Sequence, residues 1–83
     1  MPTVIVFNNT RNPIYAAVPV ENNDAAQSGA YFRILPSGQE VWIRVAATGA
    51  TAFVIRGNPA AQKGVRPENH FIASGETLVI NPL

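Results

Sequence analysis

Thr3-Val4-Ile5-Val6-Phe7, Asn8-Asn9-Thr10-Arg11-Asn12-Pro13 and Ile14-Tyr15-Ala16-Ala17-Val18-Pro19-Val20 follow one another without a break, and they decide the fold class. The first run is β-branched and aromatic and too short for a helix, so it predicts a strand. The second is Asn, Thr and Pro, the composition of a turn. Asn8-Asn9-Thr10 also matches a glycosylation sequon, but it is read here as part of that turn. The third predicts a second strand, with Ile14, Ala16, Val18 and Val20 on one face and Tyr15, Ala17 and Pro19 on the other. Pro19 has no amide hydrogen to donate, which places this strand at a sheet edge or bulges it near its end.

The same rhythm continues through the chain. Strands are expected at Ala30–Leu35, Glu40–Val45, Thr51–Arg56, Asn69–Ala73 and Thr77–Ile80, making seven. Loops are expected at Glu21–Gly29 and Gly57–Pro67, with tight turns at Pro36-Ser37-Gly38 and Ser74-Gly75. No Pro- and Gly-free window has apolar residues at helical spacing, and Asn23–Ser28 is long enough only for a turn. Parallel strands crossed by helices are excluded, because no connection has room for a helix. The expected architecture is an all-β antiparallel two-sheet sandwich in one domain spanning residues 1–83, with a small open β-barrel as the alternative. The expected core is Val4, Val6, Ile14, Ala16, Val18, Phe32, Ile34, Val41, Ile43, Phe53, Ile55, Phe71, Leu78 and Ile80.

Two segments share a pattern. Tyr31 to Trp42 and His70 to Val79 each run from an aromatic strand through Ser-Gly into an apolar strand. We read both as sandwich corners, in which glycine permits a positive φ. Val4-Ile5-Val6-Phe7 is apolar on both faces, whereas a sandwich core covers only one. The second face is expected to meet a loop or another subunit.

Composition narrows the function classes. A chain of 83 residues buries roughly 60–65% of its unfolded surface, a thin margin. There is no cysteine, so neither disulfides nor a thiolate metal site can help. His70 is the single imidazole, and no cofactor is expected. Charged residues are 13% of the chain and hydrophobic residues 47%. Against a norm of about 25% charged, such a surface does little to keep copies apart, and a homo-oligomer is expected. A net charge of +1 is too small to attract nucleic acid. The N-terminus lacks a basic n-region and a long apolar run, so the expected location is the cytoplasm, or release without a classical signal. No stretch reaches the length of a membrane-spanning helix.

Catalysis is not expected. Glu68 and His70 share a face of one strand, and Ser74 follows closely. Three residues within seven positions give poor triad geometry. No glycine loop fits a phosphate.

Binding is better supported. Five of the six basic residues are arginine, which stacks on flat groups and makes forked hydrogen bonds. Trp42 and Arg44 share a face of one strand, and Tyr31 and Arg33 share a face of the one before it. If those strands pair through the short turn, the four form one aromatic–arginine face, with Phe32, Ile34, Val41 and Ile43 pointing to the core. That face suits a glycan or other cell-surface ligand, or a subunit interface. In the loop Gly57–Pro67, Asn58 and Arg66 are further ligand candidates, with Gln62 and Lys63 beside them. Lys63 or Arg66 would also suit a protease-inhibitor loop.

An apolar strand running into Asn8, Tyr15-Ala16-Ala17, Leu35-Pro36-Ser37-Gly38 and a strand Trp42 occur in that order. This order resembles the opening of thaumatin-like proteins. The apolar strand, Asn turn and second strand also resemble aegerolysins, small lipid-binding β-sandwiches. The likeness spans roughly residues 4–45. Thaumatin-like proteins are larger and rich in cysteine, which this chain lacks, and aegerolysins are longer. The resemblance implies a β-sandwich and a surface-recognition role, with a membrane surface as one possible partner, and carries over no functional residue. The leading expectation is a non-catalytic, lectin-like recognition protein. Lipid binding, structural assembly and protease inhibition are the alternatives.

Overall fold

Each run of β-branched and aromatic residues forms a strand: β1 (Thr3–Asn8), β2 (Ile14–Ala17), β3 (Phe32–Ile34), β4 (Gln39–Ile43), β5 (Ala50–Ile55), β6 (Glu68–Ile72) and β7 (Thr77–Ile80). The computed structural model describes residues 2–20, 31–57 and 66–83, and none of these is helical. The strands form two sheets that do not close into a barrel, ordered β4-β1-β7 and β3-β2-β5-β6. All pairs are antiparallel except β1 and β7. The architecture is a small β-sandwich.

β2 ends at Ala17, two residues before Pro19. The missing amide therefore falls outside the ladder, and β2 sits between β3 and β5 rather than at an edge.

Both Ser-Gly turns carry the chain from one sheet to the other. Leu35–Gly38 links edge strand β3 to edge strand β4, and Ala73–Glu76 links edge strand β6 to edge strand β7. The corners bend differently. In the first, Ser37 itself has φ 63° and Gly38 does not, against the expectation that glycine makes the bend. The Ser37 amide donates to the Asn8 carbonyl at 2.8 Å, which holds it there. In the second, Gly75 takes φ 86° as expected.

The core draws Val4, Val6, Trp42 and Ile80 from the three-stranded sheet and Ile14, Ala16, Ile34, Ala52, Val54 and Ile72 from the other. Val18 and Val45 join them, and Leu78 packs alongside.

Three strands show the opposite phase to the one expected. Val41 and Ile43 are 44% and 52% exposed, while Trp42 is 6% exposed. Val41-Trp42-Ile43 is apolar throughout, so alternation alone cannot choose a face. Pairing with β1 chooses it, because Trp42 lies opposite buried Val4 and Val41 opposite Ile5. On β5, Ala52 and Val54 point inward instead of Phe53, and Ile55 is buried in the outward phase. β6 follows β5, so Ile72 is buried and Phe71 is 67% exposed. Phe32 is in the inward phase opposite Ala16, but it lies at the rim, half exposed.

Candidate functional site

The corner after β3 dismantles the expected aromatic–arginine face. β3 and β4 do not pair, so residues on either side of Pro36-Ser37-Gly38 belong to different layers. Trp42 is in the core, with its ring edge-on to Phe32 at a centroid distance of 6.0 Å. Its indole N–H is buried and has no hydrogen-bond partner among the described residues. Arg44 is exposed just after β4 at φ 64°. Tyr31 is half-buried just before β3, and Arg66 is exposed before β6. Asn58, Gln62 and Lys63, with most of the expected inhibitor loop, lie outside the described residues.

Arg33 does stand beside an aromatic ring, but a different one. It pairs across strands with Tyr15 on the outer face of the four-stranded sheet, and Tyr15 pairs in turn with Ile55. Directly opposed side chains of this kind lie about 5 Å apart at Cβ. The parity of β2 already placed Tyr15 opposite the core positions Ile14 and Ala16. Its pairing with Arg33 needed the strand order, which the sequence does not state.

Tyr15 also lines a cleft at one end of the sandwich. The β1–β2 turn, the end of β5 and the residues after β7 meet there around an open space of about 820 Å³. Arg11, Asn12, Pro13, Tyr15, Arg56 and Pro82 are among its walls. Among the described residues, no Asp, Glu or His lines it.

The turn wall is fixed by Asn8, which is fully buried. Its Nδ2 donates to the carbonyls of Asn12 and Ile34, each at 2.9 Å. Its Oδ1 accepts from the Thr10 amide at 2.9 Å and from the Thr10 hydroxyl at 2.6 Å. All four bonding positions of the amide are used. The turn predicted from Asn8-Asn9-Thr10 is thus wound around the Asn8 side chain, which leaves that amide inaccessible.

The opposite wall is Arg56. Its Nε donates to Glu68 Oε2 at 2.5 Å, and one terminal nitrogen donates to the Asn81 carbonyl at 2.7 Å. Arg56 thereby ties the end of β5 to β6 and to the chain leaving β7. His70 Nε2 lies 3.2 Å from Glu68 Oε1, so these two do share a face. The Arg56 hydrogen bond holds the Glu68 carboxyl below its ordinary value; partial burial opposes this and His70 adds to it. The carboxylate serves as an anchor between the Arg56 guanidinium and the His70 imidazole.

No protein family matches this chain, and neither the curated proteins nor the solved structures contain a match to it. A second hollow, about 440 Å³ between Pro19, Ala46 and Phe53, is lined among the described residues by no charged or amide side chain. The cleft at Tyr15 is therefore the better equipped for recognition.

Proposed function

We propose that this protein is a non-catalytic recognition module that binds carbohydrate, lectin-like, in the cleft beside Tyr15. The observation that carries the reading is a half-buried tyrosine set among Arg11, Asn12 and the apolar rings of Pro13 and Pro82 around an open space of about 820 Å³. A sugar offers C–H faces that pack on such rings and hydroxyls that take forked hydrogen bonds from guanidinium and amide groups. Arg33, next to Tyr15 across the strands, extends the donor surface. A glycan array followed by titration calorimetry tests this. Tyr15→Ala and Arg11→Ala should each weaken a wild-type hit by about tenfold or more. An empty array, or a hit indifferent to both changes, would sink the reading.

A second reading, an assembly protein without a small ligand, is favoured by the apolar outer face of the three-stranded sheet. Under it, changes at Tyr15 are silent and changes at Val41 are not.

A further inference from the structure

Two guanidinium groups line the cleft beside Tyr15, and they differ in what holds them. Arg56 is committed. Glu68 takes its Nε and the Asn81 carbonyl takes a terminal nitrogen, so its charge is matched at close range. Arg11 is the reverse. It is exposed and makes no hydrogen bond or ion pair among the described residues. The backbone on both sides of it is nevertheless fixed. Asn8 Oδ1 accepts from the Thr10 amide and Asn8 Nδ2 donates to the Asn12 carbonyl, each at 2.9 Å. Arg11 is thus an uncommitted charge on a rigid base, and only its side chain has to be ordered when a ligand arrives. Arg33, across the strands from Tyr15, is likewise exposed and has no ion pair among the described residues.

We propose that the ligand of this cleft is an acidic sugar, whose carboxylate or sulfate is taken by Arg11 while its ring packs on Tyr15. The inference rests on the carbohydrate reading of the cleft and adds the charge of the ligand. Around Tyr15 stand Arg11, Arg33 and Arg56, against one described carboxylate, Glu68, which Arg56 already occupies. A hydroxyl gives a guanidinium a neutral acceptor. A carboxylate gives it two coplanar charged oxygens, and such charge-assisted forked bonds are roughly twice as strong. A metal ion or an amine finds no carboxylate in the lining among the described residues. A nucleotide phosphate is the poorer occupant, because phosphates are held by cradles of successive backbone amides. In this turn the Asn9, Thr10 and Asn12 amides are engaged within the fold, and Pro13 has none. What the turn offers an anion is the Arg11 side chain.

Titration calorimetry of the full chain with matched sugars tests the proposal. Sialyllactose and sulfated lactose are each compared with lactose, and digalacturonic acid with its dimethyl ester. At least one acidic member should bind about tenfold or more tightly than its neutral partner. That preference should shrink between about 50 and 500 mM sodium chloride, as screening grows. Arg11→Gln keeps a donor but loses the charge, and it should level the pair. Arg11→Lys should keep part of the preference. Tyr15→Ala should weaken both members alike. Arg11 makes no bond in the fold, so the Trp42 emission of both Arg11 variants should match wild type. Neutral sugars bound as tightly as acidic ones, with Tyr15 still required, overturn the acidic ligand and leave the carbohydrate reading standing. No binding by any member removes both. Tighter binding of adenosine monophosphate than of any sugar overturns the proposal too, as does binding of inorganic sulfate alone as tight as that of the acidic sugar.

Discussion

Replacing Asn8 by alanine removes a side chain that touches no ligand, yet it should be among the most damaging changes in the molecule. Four hydrogen bonds are lost. They do not count equally. With Asn8 Oδ1 gone, the single Thr10 hydroxyl hydrogen is free to go to the Asn12 carbonyl, and the Thr10 groups lie where water can reach them. The Ile34 carbonyl is different, because its bond to Asn8 is buried. Stranding such a group costs about 1–3 kcal/mol, and each remaining bond contributes about 0.5–1.5 kcal/mol. A loss of about 2.5–7.5 kcal/mol follows, against a total stability of roughly 4–12 kcal/mol for 83 residues. Urea unfolding followed by Trp42 emission measures it directly. Asn8→Asp sharpens the test, since it keeps the shape but aims an oxygen at the two carbonyls that now receive N–H groups. Burial and those carbonyls favour its protonated form, so its folded-state pKa lies above the unfolded value. The variant is therefore least compromised at acid pH and loses stability relative to wild type as pH rises from about 4. An Asn8→Ala cost below about 1 kcal/mol, or an Asn8→Asp cost that does not vary with pH, would refute the assignment of Asn8 as the peg of the turn.

Other residues make separate predictions. Trp42→Ala should cost about 3–5 kcal/mol as a core truncation. Trp42→Phe removes the stranded indole N–H, worth about 1–3 kcal/mol, against about 1 kcal/mol for roughly 40 Å³ of lost volume. The phenylalanine variant should therefore lie within about 1–2 kcal/mol of wild type in urea melts read by circular dichroism; equal damage from both would contradict the burial of that N–H. A Cβ at Gly49 would lie 2.2 Å from the Ile72 carbonyl oxygen, whereas one at Gly75 meets nothing within 4 Å. Gly49→Ala should disrupt the fold and Gly75→Ala cost only its backbone strain, about 1–2 kcal/mol, and thermal melts showing similar losses would contradict that ordering. Glu68 has a lowered folded-state pKa, so its contribution is full above the ordinary glutamate value and is lost as pH falls through the lower one. In a thermal-stability profile against pH, Glu68→Gln should flatten that acid limb, and an unchanged limb would remove Glu68 from the account.

What the sequence disclosed, and what it hid, follows from the physics of strands. Seven strands were legible because each β-rich run is bounded by Pro, Gly, Asn or Ser, and Thr77–Ile80 was placed to the residue. Which face of a strand is inside was legible only where polar residues break the alternation. Val41-Trp42-Ile43 and Phe53-Val54-Ile55 satisfy either phase, and the choice came from partners distant in sequence. The same long-range pairing hid the cleft. Tyr15, Arg11 and Asn12 are neighbours in sequence, but Arg33, Arg56 and Pro82 reach them only through the sheet order. The Ser-Gly corners were read correctly as corners, but their consequence for the aromatic–arginine face was not. A turn that passes between layers separates the strands it joins, whereas a hairpin pairs them. The two apolar faces of β1 were visible from the start, and the outer one borders an exposed field.

The position of β1 also bears on how the protein comes to be folded. β1 is the central strand of its sheet, and both neighbours come from later in the chain, with Ile5 opposite Val41 and Thr77. During synthesis, Val4, Ile5, Val6 and Phe7 emerge before either neighbour, and the strand that completes their layer, Thr77–Ile80, comes some seventy residues later. Pairings over such separations make folding slow, because loop-closure entropy must be met before the contacts form. Until β4 is made the nascent chain carries this apolar segment unpaired on both edges, and one edge stays open until β7 follows. Binding of Val4–Phe7 by a chaperone, or an early refolding phase that lacks Trp42 burial, is the kinetic signature this topology predicts.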